Sequence, residues 1–232
     1  MNIRISSRVV AISAMLAAFA VIAHQTAWGS TPQGPGGSAA GSASADAVIR
    51  RTHVETHPSL GTQRIVEGAE ATLTSTSAGS AVVVHTKGLT PGHIYSLWMV
   101  VVNKPSACAT SPCTGKDVLG NTSVVQADVM WGFGGVVGAD GALRLHGWMP
   151  AGKWESSWFG RGLTNPKGAE FQLIINDHGA PLEGRLARML TSYREGCSDD
   201  SLPPPFPEVA KKDGTAGPNR CALTQSVVFE RR

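Results

Sequence analysis

Histidine and aspartate are the residues of this chain that could bind a metal ion. The chain has seven histidines, and a site drawn from His85, His146, Asp177 and His178 would combine the imidazole and carboxylate ligands that zinc and copper accept. His85 and His146 alternate with apolar neighbours, which places them toward solvent or at the rim of a sheet, whereas His178 follows Asp177 at a strand end. Structural or exposed roles explain each of them more simply, so a metal site is the alternative hypothesis.

Covalent catalysis has little support in the sequence. The chain contains no Gly-x-Ser-x-Gly nucleophile elbow, and no free thiol is left if its four cysteines pair. The adjacent acids Asp199 and Asp200 lie beside a cysteine in a loop, where solvated turn residues are the simpler interpretation. We expect a protein without catalytic residues and without a cofactor.

Tryptophan has the distribution most suggestive of binding. The chain has six tryptophans; Trp98 lies within an apolar run and is expected in the core, whereas later ones fall in loops or at a strand end beside polar partners. Aromatic side chains in such places can stack on sugars or anchor a protein partner. The candidate contact residues are Trp131, Trp148, Trp154, Trp158, Phe159 and Arg161. The alternative is that the aromatic loops fold back as a lid over one end of the domain.

Residues 1–29 have the organisation of a secretory signal peptide. Two arginines precede an apolar run at 9–23, and the small residues Ala27 and Gly29 mark a cleavage site. Cleavage after Ala23 and an uncleaved anchor are alternatives, although the run is shorter than the ~20 residues that a membrane span needs. We therefore predict a secreted, periplasmic or cell-surface protein.

Charge and hydropathy restrict the classes of partner that the protein is expected to bind. The net charge of +3 includes the two arginines of the signal segment, and no dense basic cluster follows. Nucleic-acid binding needs such a basic face, and no second apolar run is long enough to cross a membrane. The expected partner is an extracytoplasmic ligand, either a glycan or a protein surface.

The four cysteines fit an oxidising compartment. Cys108 and Cys113 flank a short loop, and Cys197 and Cys221 flank a long polar one. Four cysteines allow three pairings, and we favour the two local bridges because each closes a loop that contains turn residues. A four-cysteine zinc site is the alternative, although the spacing to Cys221 suits zinc poorly.

The chain divides into a leader, a tether and one domain. Residues 30–47 are rich in Ser, Gly and Ala, which cannot bury enough apolar area to offset the entropy of ordering them. We predict a flexible tether there and a single β-sandwich domain over 48–232, which is long enough to bury a core.

Strand patterns dominate this domain. Runs rich in β-branched and aromatic residues are separated by Gly, Pro, Asn and Asp, and Ala139-Asp140-Gly141 has the composition of a hairpin turn. The predicted strands are Ala71–Ser75, Ala81–Lys87, Ile94–Asn103, Ser123–Val129, Gly135–Gly138, Ala142–Trp148, Glu170–Asp177 and Ala222–Glu230. The fold class is all-β, a two-sheet antiparallel sandwich of immunoglobulin-like or superoxide-dismutase-like type or a partly open barrel.

Two segments depart from the strand pattern. Apolar residues at helical spacing over 182–193 predict a short helix. Residues 198–220, rich in proline and glycine, predict a long surface loop closed by a Cys197–Cys221 bridge.

A tight turn precedes the most apolar predicted strand. Leu89, Pro91, Gly92 and Tyr95 stand in Leu-Thr-Pro-Gly-His-Ile-Tyr, which resembles the tyrosine corner of fibronectin type III domains. The resemblance implies that the Tyr95 hydroxyl bonds back to a nearby backbone group and fixes the turn. In those domains the corner lies near the C-terminal end, whereas here more than half of the chain follows it.

The same stretch resembles a second family. Gly88 to His93 is similar to the segment that opens the metal strand of copper–zinc superoxide dismutases, where a His-x-His pair would follow. This chain has Leu97 and Met99 at those positions. His178 and the residues after it resemble the end of the related CHRD domain, and the chain otherwise resembles exported bacterial β-sandwich proteins.

The sequence thus favours an exported, non-catalytic β-sandwich protein that binds a ligand through aromatic loops or has a structural role. A metal-binding protein or metal-dependent enzyme on a superoxide-dismutase-like sandwich is the alternative.

Overall fold

The computed structural model describes residues 46–201 and 208–231. The predicted signal peptide, residues 1–29, and nearly all of the predicted tether, residues 30–47, lie outside these ranges. Within the described residues no helix is long and apolar enough to span a membrane.

Eight strands form one antiparallel sheet. Its strands are β1 (Val48–Thr56), β2 (Ile65–Thr76), β3 (Gly79–Thr86), β4 (Ile94–Val102), β5 (Ala127–Val136), β6 (Leu143–Pro150), β7 (Glu170–Asp177) and β8 (Ala222–Phe229). The strand order is β5-β4-β7-β8-β1-β2-β3-β6. The antiparallel all-β prediction is confirmed, but a division into two sheets is not.

The sheet is nearly closed into a barrel, because its end strands β5 and β6 lie side by side. Glycines make this close approach possible. A Cβ atom on Gly147 of β6 would lie 2.6 Å from Sδ of Met99 and 3.3 Å from Cα of Gly132 in β5. A side chain at this position would therefore displace the Met99 side chain and crowd the backbone of β5.

Strand β4 is buried on both faces, as its continuous apolar run predicted. Leu97, Met99 and Val101 point into the barrel, where they join the main hydrophobic core. Trp98 and Val100 point outward into a second apolar cluster, which loops cover. Because successive side chains of β4 point to opposite faces, this one strand contributes to both apolar clusters.

The covering layer consists of loops and short helical segments. The α-helices in the described residues are α1 (Thr122–Val125), α2 (Leu186–Thr191) and α3 (Glu208–Lys211). Short 3₁₀ or π turns occupy Pro58–Leu60, Pro105–Ala107 and Lys116–Gly120. Disulfides join Cys108 to Cys113 and Cys197 to Cys221, so the predicted pairing is confirmed.

Several predicted boundaries are wrong for local reasons. The predicted strand Ser123–Val129 begins as α1 and becomes β5 only at Ala127, because Gln126 between them has a left-handed backbone with φ of 53°. The helix predicted over 182–193 is present but shorter, since Gly184 has φ of 69° and delays its start to Leu186. Strand β1 was not predicted.

The Tyr95 hydroxyl bonds back to the backbone of its own turn, as the resemblance to a tyrosine corner implies. The backbone N–H of Thr90 donates to the Tyr95 hydroxyl at 3.1 Å, and that hydroxyl donates to Oδ2 of Asp177 at 2.9 Å. The bond to Asp177, at the end of β7, also fixes the turn to the neighbouring strand. Leu89, in the same turn, is buried in the main core.

Candidate ligand cavity

A cavity of about 220 Å³ lies between the outward face of the sheet and the covering loops. Strands β4, β5, β7 and β8 line it with Trp98, Val100, Val129, Ile174 and Leu223, and the loops line it with Val118, Leu119, Trp158 and Tyr193. The polar lining residues are His57, Ser59 and Gln172, and Gly115 completes the wall. Among the residues that the structure describes, no Asp, Glu, Lys or Arg lines this cavity.

Three aromatic rings meet at one side of the cavity. The ring centroids of Trp98 and Trp158 are 5.3 Å apart, and Tyr193 lies 5.2 Å from Trp98 and 5.1 Å from Trp158. Tyr193 packs edge-on against both tryptophans, at interplanar angles of 78° and 77°. Contacts of this geometry stabilise aromatic clusters beyond the burial of their area, so the aromatic wall is rigid.

A buried hydrogen-bond chain fixes Trp98. Its Nε1–H donates to Oγ of Ser96 at 3.0 Å, and Ser96 Oγ lies 2.8 Å from Nε2 of His178. Nδ1 of His178 donates to the carbonyl of Glu195 at 3.0 Å, so Nε2 is the acceptor of the Ser96 hydroxyl proton. Burial lowers the pKa of His178 and keeps its imidazole neutral, as this chain of donors requires.

The buried carboxylate of Asp128 organises the loop that carries Trp158. Its Oδ2 accepts from Ser157 Oγ at 2.5 Å and from the backbone N–H groups of Arg161 and Gly162 at 2.7 and 2.6 Å. Its Oδ1 accepts from the N–H groups of Val129 and Phe159 at 2.8 and 2.9 Å. Five donors around one carboxylate, none of them a cation, compensate its desolvation and fix the loop backbone.

His57 is a titratable group of the cavity lining. Its Nδ1 accepts the backbone N–H of Ser59 at 3.2 Å, so the neutral ring carries its proton on Nε2. Burial lowers the pKa of His57 to about 4. The ring is therefore uncharged at neutral pH and offers Nε2–H as a hydrogen-bond donor.

Tyr193 also titrates, but outside the physiological range. Burial raises the pKa of its hydroxyl, so the phenol stays protonated. The cavity thus presents aromatic rings, aliphatic side chains and a few neutral polar groups. Such a surface can exclude water and hold a neutral apolar molecule, but it cannot neutralise a charged one.

The six predicted contact residues do not form one site. Trp158 lines the cavity, whereas Trp154 packs against the main core inside the barrel. Phe159 and Arg161 line a different, polar cleft. The tryptophans of the loop at 154–158 are therefore partly buried, but they do not share a groove.

Trp131 lies on β5, opposite Trp98 of β4, where it packs against the second apolar cluster, and Trp148 lies on β6. Nε1 of Trp131 donates to the carbonyl of Leu190 at 2.9 Å, and its ring lies 5.2 Å from that of Phe133. Phe133 stacks on His146 at 4.3 Å. Trp148 is 46 % exposed and points outward from β6, as the alternation of that strand predicted.

The four residues of the alternative metal hypothesis are also spread over the molecule. His85 and His146 are exposed on β3 and β6, and Asp177 is engaged by His93, Tyr95 and the N–H of Gly179. In the described ranges, the sole trio of His, Cys, Asp or Glu whose ligand atoms lie within 4.8 Å of one another is His178, Cys197 and Cys221. Both sulfurs of that trio belong to the disulfide. His85, His146, Asp177 and His178 do not form such a group.

The positions that correspond to copper ligands in the dismutase resemblance are filled by core residues. Leu97 and Met99 point into the barrel and are fully buried. This side of β4 contributes packing to the main core.

Sequence reasoning missed Tyr193 and His57 as cavity residues. Tyr193 lies in the segment predicted as a helix, and His57 lies before Pro58 in a stretch for which no strand or helix was predicted. The available signal was the alternation of β4, which places Trp98 on the face opposite Leu97 and Met99. Which distant loops cover that face cannot be read from local spacing.

No family model matches the chain, and no curated protein or solved structure matches it. The geometry of the cavity is therefore the basis for interpreting its function.

Proposed function

We propose that this is an exported binding protein whose cavity holds a small, uncharged ligand with an aromatic ring. The observation that carries the proposal is the wall of Trp98, Trp158 and Tyr193 around a cavity without charged lining residues. Aromatic walls offer face and edge contacts to a planar ligand. The signal-like N-terminal segment and the two disulfides support export.

The size of the cavity restricts the ligand. An apolar cavity of about 150 Å³ in another protein holds benzene, and this cavity measures about 220 Å³. A fused bicyclic ring or a substituted single ring fits this volume. His57 Nε2–H can donate one hydrogen bond, and Gln172 can accept one at Oε1, since its Nε2 donates to Cys113 and Glu170.

Binding is better supported than catalysis. The titratable lining residues, His57 and Tyr193, are both held neutral at physiological pH by burial. General acid–base catalysis needs a group whose pKa lies near the working pH. A preformed apolar cavity on a rigid sheet suits reversible binding.

The finer description of the scaffold is also a proposal. Strands β1 and β8 pair through only two residue pairs, Glu55 with Ser226 and Thr56 with Gln225. The order β5-β4-β7-β8 and the order β1-β2-β3-β6 therefore make two four-stranded halves around the main core. We treat this flattened barrel as a sandwich whose first half supports the cavity.

Calorimetric titration with matched ligands tests the binding proposal. We expect indole and indole-3-acetamide to bind at micromolar to submillimolar concentration. Indole-3-acetate has nearly the same size but carries a charge, so it should bind at least about tenfold more weakly. Equal affinity for the acetamide and the acetate would contradict a neutral apolar site.

A cavity-filling variant locates the binding. Leu119→Trp adds a ring to the cavity wall and should abolish indole binding, whereas Val124→Trp places the same ring at an exposed position nearby, where Val124 is 57 % exposed. The second variant should bind indole as the unaltered protein does. Undiminished binding by Leu119→Trp would overturn the assignment of the cavity.

A further inference from the structure

A second, polar cleft of about 460 Å³ lies on the other side of the loop that carries Trp158. Two cationic side chains, Lys153 and Arg161, line it together with the ring of Phe159 and polar residues that include Asn103 and Gln126. It shares no lining residue with the aromatic cavity.

Neither cation has an acidic partner in the described ranges. No salt bridge involves Lys153 or Arg161, and no acidic residue lines the cleft. The residues outside 46–201 and 208–231 include no Asp or Glu. Within the described residues, the cleft therefore contains two cationic residues that form no ion pair with an acid.

The Arg161 side chain has donors that no other described group of the protein uses. Its Nε is buried and has no hydrogen-bond partner in the structure, so this nitrogen is closed to a ligand in the cleft. The two Nη groups at the tip of a guanidinium offer parallel donors to a carboxylate or phosphate.

The walls of the cleft are fixed before any ligand arrives. The backbone N–H of Arg161 donates to Asp128 at 2.7 Å, and the Asn103 side chain bonds the carbonyl of Gly162 at 3.0 Å and the N–H of Thr164 at 2.8 Å. Gln126, on the same cleft, has the left-handed backbone with φ of 53°, a conformation rare for residues other than glycine. Fixed walls reduce the entropy lost on binding.

Asp128 is not a counterion within the cleft. Its carboxylate is fully buried beneath the loop and accepts five hydrogen bonds, four of them from backbone N–H groups. Asp128 does not line the cleft. The lining of the cleft therefore includes Lys153 and Arg161 and no carboxylate among the described residues.

We propose that this cleft binds an oxyanion group, a carboxylate or phosphate, carried by a small molecule. Arg161 binds the oxygens through its two Nη groups, Lys153 supplies the second charge, and Phe159 contacts the carrier of the anion. This site is independent of the aromatic cavity and goes beyond the function proposed for it.

Titration at low ionic strength tests the proposal with galacturonate, galactose and inorganic phosphate as probes. We expect galacturonate to bind with saturation and galactose, which has the same ring without the carboxylate, to bind at least about tenfold more weakly. Saturable phosphate binding at the same site would identify the free oxyanion as sufficient. Failure of both anions to saturate, or equal binding of galactose, would overturn the proposal.

Charge-matched variants separate a built site from general electrostatics. Arg161→Gln should weaken anion binding at least about tenfold, and Arg161→Lys should also weaken it because the paired donors are lost. Lys116→Gln removes one exposed charge elsewhere and should leave binding unchanged. An equal loss in Lys116→Gln would show that net charge alone accounts for the binding.

Two readouts keep the test independent of folding and of the aromatic cavity. Indole binding should persist in Arg161→Gln if the loop remains folded. If that variant unfolds, NMR of the unaltered protein decides the question, since phosphate should shift the Nε–H resonance of Arg161. An unchanged Arg161 resonance at saturating phosphate would reject the site.

Discussion

At the scale of single residues, groups that could do chemistry are used to hold the fold. His178 accepts a hydrogen bond from the Ser96 hydroxyl, which in turn accepts the indole N–H of Trp98. Asp177 accepts a hydrogen bond from the hydroxyl of Tyr95. Both are buried or half-buried and hydrogen-bonded, as polar groups in a core must be. Their positions at the end of β7 therefore reflect packing of the aromatic residues of β4.

An alkaline titration can detect the burial of the two tyrosine hydroxyl groups. Tyr95 and Tyr193 are the only tyrosines in the chain, and burial raises the pKa of Tyr95 to about 12 and that of Tyr193 as well. The folded protein should therefore show no tyrosinate absorbance at 295 nm as pH passes 10, whereas protein in denaturant should titrate there.

The same shifts affect stability. The folded state keeps tyrosine protons that the unfolded state releases above pH ~10. The contribution of these groups to the free energy of unfolding is therefore unchanged below pH ~10, and stability falls as the pH rises further. A native titration with a midpoint near 10 would contradict the burial of both hydroxyl groups.

At the scale of elements, the loop at 154–162 connects the main core, the aromatic cavity and the polar cleft. Trp154 packs on the main core, Trp158 lines the cavity, and Arg161 lines the cleft. Asp128 fixes this loop through the donors of Ser157 and of the backbone at 159, 161 and 162. One buried carboxylate thus positions groups in two separate sites.

Asp128→Asn tests this dependence. An amide places an NH₂ group where backbone N–H donors converge, so at least two donors lose their acceptor. We expect the free energy of unfolding to fall by at least about 3 kcal/mol and indole affinity to fall with it. Chemical denaturation and calorimetry measure the two effects.

Glu155→Gln is the matched control for that variant. Glu155 lies exposed in the same loop, so its neutralisation should change stability by less than ~0.5 kcal/mol. Similar effects of the two substitutions would show that loss of a negative charge, and not loss of the acceptor, causes the change.

Element by element, the sequence predicted strands where apolar patterns are plain and failed where polar groups are buried. Strand β4 was predicted because its residues are apolar on both faces. Strand β1 was missed because Arg50 occupies one of its inward positions, where it donates to the carbonyls of Ala169 and Glu230. A buried arginine hides the alternation on which strand prediction depends.

At the scale of the whole molecule, the aromatic cavity depends on contacts between distant segments. Trp98, Trp158 and Tyr193 come from a strand and two separate loops, and His57 comes from near the start of the described chain. Local composition identified Trp158 as a candidate, but the closure of the barrel and the two disulfides decide which loops cover Trp98. That arrangement is a property of the topology, which periodicity does not encode.

The most direct test of the account is an NMR titration of the tryptophan indole N–H resonances with unlabelled indole. We predict saturable shifts of the Trp98 and Trp158 resonances, with the resonance of Trp148, which is exposed on β6, unchanged. Absence of any shift at millimolar indole, or a shift confined to Trp148, would contradict a ligand cavity between the sheet and its covering loops.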